Sequence, residues 1–87
     1  AMKVCQSIIV TLIIGSKKLD MELPAFLPIT DVNARILETL RALYPQAYGG
    51  CTAICLRECG TTLAGNRTFA SYGIWDGAVL RGDIALQ

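Results

Sequence analysis

Histidine is missing from the 87 residues altogether. With it goes the usual base beside a serine or cysteine nucleophile. No two carboxylates are spaced to act as acid and base, and the eight glycines form no phosphate-cradling loop. Catalysis is not expected, and neither is a cofactor. Charge is also sparse, 17% of residues with a net +1, and scattered in both signs. Without a basic stripe, nucleic acid is excluded as a partner. Long apolar runs are absent as well. The nearest is Ile8 to Ile14, which is interrupted by Thr11 and followed by Gly15-Ser16-Lys17-Lys18 in place of a small-residue cleavage site. It is too short to cross a bilayer and has the wrong flank for a signal peptide. A cytoplasmic location is expected, with no direct membrane insertion but room for association with a membrane protein complex.

Close cysteine pairs are lacking too. Cys5, Cys51, Cys55 and Cys59 show no C-x-x-C spacing, which argues against zinc in a chain without histidine. In an extended strand, residues 51 and 55 stand about 13 Å apart, beyond disulfide reach. Reduced thiols are expected and no metal, with Cys59 at a turn tip the most accessible.

What is present is apolar patterning. Apolar residues make up 53% of the chain, more than one core of this size hides, since such a domain buries roughly 60–65% of its unfolded surface. Part of that surface should meet a partner. A single domain over residues 2–87 is expected, Ala1 reading as a cloning scar. Ile8–Ile14 predicts a strand. In the next run Leu19, Met21 and Leu23 alternate with Lys18, Asp20 and Glu22, which predicts a second, half-buried strand and an opening hairpin. Pro24 and Pro28 then carry the chain off the sheet. Thr30 stands as an N-cap with Asp31 in the first turn, and Val32, Ile36, Leu40 and Leu43, widened by Leu37, make the buried stripe of a helix whose Arg35, Glu38 and Arg41 face outward. Tyr44-Pro45 ends that helix and an extended loop runs to Gly50. Strands follow at Thr52–Arg57, around Thr61–Leu63, and at Ala78–Leu86. Between the last two, Arg67–Gly73 makes a turn or short helical segment, which Gly73 can end by taking a positive φ. Ile74 then drops into the core and Asp76-Gly77 turns into the last strand. The order β-β-α-β-β-β predicts an α+β roll with one amphipathic helix packed on a mixed sheet.

The segment Arg67-Thr68-Phe69 through Ser71-Tyr72-Gly73-Ile74, continued by Asp76-Gly77-Ala78-Val79-Leu80, resembles the ubiquitin superfamily, whose fold is the β-grasp. The resemblance covers about Ile8 to Leu86. The long first strand, the Leu23-Pro24 junction, Ile29-Thr30-Asp31 at the helix start, the Tyr44–Gly50 loop and Gly73-Ile74-Trp75-Asp76-Gly77 look most like the YukD proteins, ubiquitin-like components of bacterial type VII (WXG100) secretion. This likeness implies a non-catalytic protein-interaction module and secretion-machinery partners. The alternatives are a modifier or sulfur carrier, or a cytosolic ubiquitin-like domain of a larger secretion membrane protein. The carrier reading is disfavoured because the chain ends Ile84-Ala85-Leu86-Gln87 without Gly-Gly.

The resemblance also assigns residues. Tyr72 is expected to pack its ring and bond its hydroxyl to backbone, with Gly73 and Ile74 structural beside it. Arg57 and Asp83 fall where ubiquitin carries its apolar recognition patch, and are expected to form a cross-strand ion pair. Trp75 falls on a solvent-facing turn and is a candidate partner contact. Ile9, Thr11 and Ile13 lie on the strand face opposite Ile8, Val10, Leu12 and Ile14. They form a second contact candidate, one route being a homodimer through the first strand. Phe26 either caps the core or stands exposed.

Overall fold

The computed structural model describes residues 7–86; Cys5 lies outside them. Its elements are β1 (Ser7–Ile14), β2 (Lys17–Pro24), α1 (Ile29–Leu43), a short α2 (Pro45–Tyr48), β3 (Cys51–Glu58), β4 (Thr61–Thr62), a 3-10 turn (Ala70–Tyr72) and β5 (Val79–Leu86). The sheet has the order β2-β1-β5-β3-β4. β1 and β5 run parallel at its centre, while the β1–β2, β3–β5 and β3–β4 pairs are antiparallel.

Two-residue turns set the hairpin registers. Gly15 at φ 59 joins Ile14 to Lys17, and Cys59 and Gly60, at φ 51 and 83, join Glu58 to Thr61. Left-handed residues at these places match the twist of the paired strands. Pro24 ends β2 opposite Ser7, on the outermost strand.

Alternation decides the faces. Ile8, Val10, Leu12 and Ile14 turn toward α1 and are buried with Val32, Ile36, Leu37, Leu40, Leu56, Phe69, Ile74 and Leu80. Gly82 belongs to this layer: a Cβ there would lie 3.0 Å from Ile54 Cδ1 and 3.2 Å from Ile14 Cγ1. The strand thus passes directly beneath packed side chains.

Three expectations are corrected. Thr30 is not the N-cap, because α1 already begins at Ile29 after Pro28. The amides of Ile29 and Thr30 donate to the carbonyls of Arg67 (2.7 Å) and Gly65 (3.0 Å), and the Thr30 hydroxyl also donates to Gly65. A distant loop therefore satisfies the free donors of the first turn, and no side-chain cap is made. Leu43 is not in the core but 60% exposed. The buried row steps by four from Ile36 to Leu40 and continues to half-buried Tyr44, whose ring packs edge-on against buried Tyr48 at 6.0 Å. The Tyr44–Gly50 segment is not all loop either, because Pro45 fits the first turn of α2, where its missing N–H costs nothing. Arg41 lies on the exposed side as expected, yet its guanidinium reaches back to the carbonyl of Cys51.

Candidate docking face

The face of the sheet turned away from α1 carries the odd-numbered residues of β1. Ile9 is 56% exposed, and Thr11 and Ile13 are half-buried. Thr11 stands opposite Val79 and Ile13 opposite Arg81 in the parallel ladder, so exposed Val79 joins the same face. Sequence reasoning did not single out Val79, although its alternation with buried Leu80 carried the signal. On the β2 side, the Thr11 hydroxyl donates to Asp20 Oδ1 at 2.8 Å. The apolar strip is therefore bordered by an anchored carboxylate. β1 has neighbours along both edges, so it offers a partner only its face.

The other border is the Arg57–Asp83 ion pair. Cys55 stands directly opposite Asp83, and Arg57 opposite Arg81, so the pair is a diagonal across β3 and β5. Arg57 Nε and Nη2 both donate to Asp83 Oδ2, the Nε bond at 3.0 Å. The bonded carboxylate raises the Arg57 pKa above its ordinary value, first through these hydrogen bonds and then through charge. Arg57 and Arg81 are register partners of like charge, and the Asp83 carboxylate offsets that of Arg57. A ubiquitin-type apolar patch has no counterpart at these two positions.

At the Ile9 end of β1 the chain forms a tight corner. Gly73, at φ 73, ends the 3-10 turn, and the Ile74 amide returns to the Phe69 carbonyl at 3.0 Å as its side chain enters the core. Trp75 is thereby turned out, 43% exposed, and meets the 51%-exposed Phe26 edge to face at 6.0 Å. Phe26 thus stands outside the core, and the two rings share one surface. Asp76 Oδ1 accepts the Ile9 amide at 2.7 Å, and Gly77 donates to the Ile9 carbonyl at 2.9 Å. These bonds hold the aromatic corner against the start of β1.

Tyr72 fixes the loop on the far side of the corner. Its hydroxyl accepts the Ala64 amide at 2.7 Å, and the Arg67 guanidinium lies over its ring at 4.5 Å. Thr68 and Ser71 exchange further bonds across the same turn. These contacts are internal, and they make Tyr72 a brace for the loop that caps α1. Among the described cysteines, Cys51 is buried and free, and Cys55 and Cys59 are exposed and free.

The sequence model of the family described as YukD, a protein of the WXG100 protein secretion system (Wss), matches residues 7–81. The chain belongs to the YukD family. Solved structures show the same ubiquitin-like fold. The ubiquitin-like domain of the Mycobacterium tuberculosis type VII secretion system protein ECCD1 is similar with a TM-score of 0.71 at 20% identity, over 88% of this chain and 97% of that one. The EccD5 ubiquitin-like domain from Mycobacterium xenopi gives a TM-score of 0.72 at 23% identity, over 94% and 98%. A chain of the MycP5-free ESX-5 inner membrane complex gives 0.73 at 15% identity, over 94% of this YukD-family chain but only 22% of that longer one. No curated protein matches the sequence. No helix among the described residues is long and apolar enough to cross a membrane.

Proposed function

We propose that this YukD-family chain is a non-catalytic, noncovalent docking module of a WXG100 (type VII) secretion system, folded as one domain over residues 2–87. It works on the cytoplasmic side, against a membrane-held protein complex. One observation carries the choice of surface. Trp75 and Phe26 stand out of the core as a pair, clamped through Asp76 to the start of β1, whose outer side continues the apolar surface through Ile9, Ile13 and Val79. Exposed aromatic anchors beside apolar area are the usual core of an interface. The Thr11–Asp20 and Arg57–Asp83 contacts supply a polar rim. Family membership supports the secretion setting.

A second reading has its own support. The ESX-5 complex chain is matched over 22% of its length by nearly all of this one. The same module could therefore serve as the cytosolic domain of a larger membrane protein.

The test is co-purification of the secretion system's own components with tagged protein, comparing wild type with Trp75→Ala and Ile9→Asp. Loss of those components from both variants, with unchanged thermal unfolding, supports this face. Undiminished recovery rejects it. Sedimentation of the protein alone checks whether the same face holds a second copy.

A further inference from the structure

Charge on the open sheet face is sorted along β1. Register places Glu22 beside Ile9, Asp20 beside Thr11 and Lys18 beside Ile13, while Arg81 flanks Ile13 from the other side and Arg57 follows on β3. Residues paired in this way share a face, so these side chains stand on the side that α1 leaves open. Asp76 adds a carboxylate at the Ile9 end, held on the Ile9 amide. The Ile9 end therefore carries Asp76, Glu22 and Asp20, and the Ile13 end carries Lys18 and Arg81 beside the neutralised Arg57–Asp83 pair. Lys18, Asp20, Glu22, Asp76 and Arg81 are all exposed. Among the described residues the only salt bridge is Arg57–Asp83, so no ion pair within the chain compensates this gradient.

An apolar strip with acid at one end and base at the other is complementary to itself when reversed. A two-fold axis lying between two such sheets, along the Thr11–Val79 row, turns the second strip end for end and stacks each strand on its own copy. Ile13 of one copy then covers Ile9 of the other, Lys18 meets Glu22, and Arg81 meets the Asp76 turn beside Trp75. Each contact occurs twice. Sheets stack face to face in this manner with their strands within about 30° of each other. β1 has strands on both sides, so a copy reaches the strip only through its face. Asp20 alone is opposed by its own kind, because it lies on the axis row. We propose that the docking face is also a self-recognition surface, covered by a second copy of the chain in antiparallel alignment. This rests on the reading of that face as an interface, and it names what occupies the face in the absence of other partners. A copy and a secretion component then compete for the same strip. A sheet of this size gives an interface of the small class, below about 1,200 Å², and so a reversible one.

Sedimentation of the purified protein from about 10 μM to about 1 mM tests this without any secretion component. Wild type is expected to pass from monomer to dimer in that range, with dilution-dependent amide shifts centred on Ile9, Thr11, Ile13 and Val79. Lys18→Glu and Glu22→Lys are exposed changes that should leave thermal unfolding unaltered, and each should weaken the dimer about tenfold or more by setting like charges together. Mixed in equal amounts, the two variants restore opposite charges at both contacts and should associate about as well as wild type. Asp20→Asn removes the repulsion on the axis row and should strengthen the dimer. The proposal is overturned by a protein that stays monomeric at about 1 mM, by a dimer that both charge variants leave unchanged, or by a mixture that associates no better than its components. A monomeric protein whose face still captures secretion components overturns only the self-recognition. A charge-dependent dimer beside undiminished co-purification from Ile9→Asp overturns only the docking of those components.

Discussion

The carboxylate of Asp76 accepts the amide of Ile9 at 2.7 Å, so a turn late in the chain supplies a rung that a strand would otherwise supply to β1. The parallel ladder continues from it, through Gly77 to the Ile9 carbonyl and Thr11 to the Ala78 carbonyl. A bond from a charged acceptor contributes more than a neutral one. Asp76→Ala should therefore lower stability by about 1.5–3 kcal/mol, read as a lower urea midpoint with an unchanged slope. Exchange at the Ile9 amide should accelerate in the same variant, and an unaltered Ile9 exchange rate would refute the role.

Tyr72 serves α1 indirectly. Its hydroxyl holds Ala64, next to the Gly65 carbonyl that receives the first-turn donors of Thr30. Tyr72→Phe keeps the ring under Arg67 and removes only that acceptor, at a cost of about 1 kcal/mol. Faster exchange is expected at Ala64 and at Thr30 together. A change confined to Ala64 would show that the loop does not transmit to the helix.

Gly82 is required by space and not by backbone freedom. An added methyl meets Ile54, Ile14 and Leu12 at 3.0 to 3.4 Å. Gly82→Ala should destabilise by about 1–3 kcal/mol through overpacking, although the substitution also restricts the unfolded chain. The paired variant Gly82→Ala with Ile54→Val should recover part of the loss, which a double-mutant cycle measures.

Thiol chemistry should separate the three described cysteines. In a Cys5→Ser background, Cys55 and Cys59 should react with a disulfide reagent at rates near those of a free thiol. Cys51 should wait for unfolding, because it is buried. Three equally fast thiols would contradict the packing around the start of β3.

Period-two and period-four patterns made much of this architecture visible beforehand. Ile8 to Ile14, Leu19 to Leu23 and Val32 to Leu40 each announce a face, because each is organised within a few neighbouring residues. Features set by distant contacts were hidden. The start of α1 is fixed by carbonyls of Gly65 and Arg67, which displaces the local N-cap signal at Thr30. Leu43 loses its place to Tyr44 because the four-residue step, not the three-residue one, follows the sheet. Trp75 could be marked as outward from its turn, but its pairing with Phe26 joins two loops far apart in the chain.

The position of β5 has a consequence for how the molecule comes into being. The β1–β2 and β3–β4 hairpins share no ladder, and Val79–Leu86 is the seam between them. A nascent polypeptide that has not yet released this segment from the ribosome has no strand through which its two halves of the sheet can join. Closure of the sheet must wait for the seam to emerge, so this protein completes its assembly in one late step instead of growing progressively from its first strand.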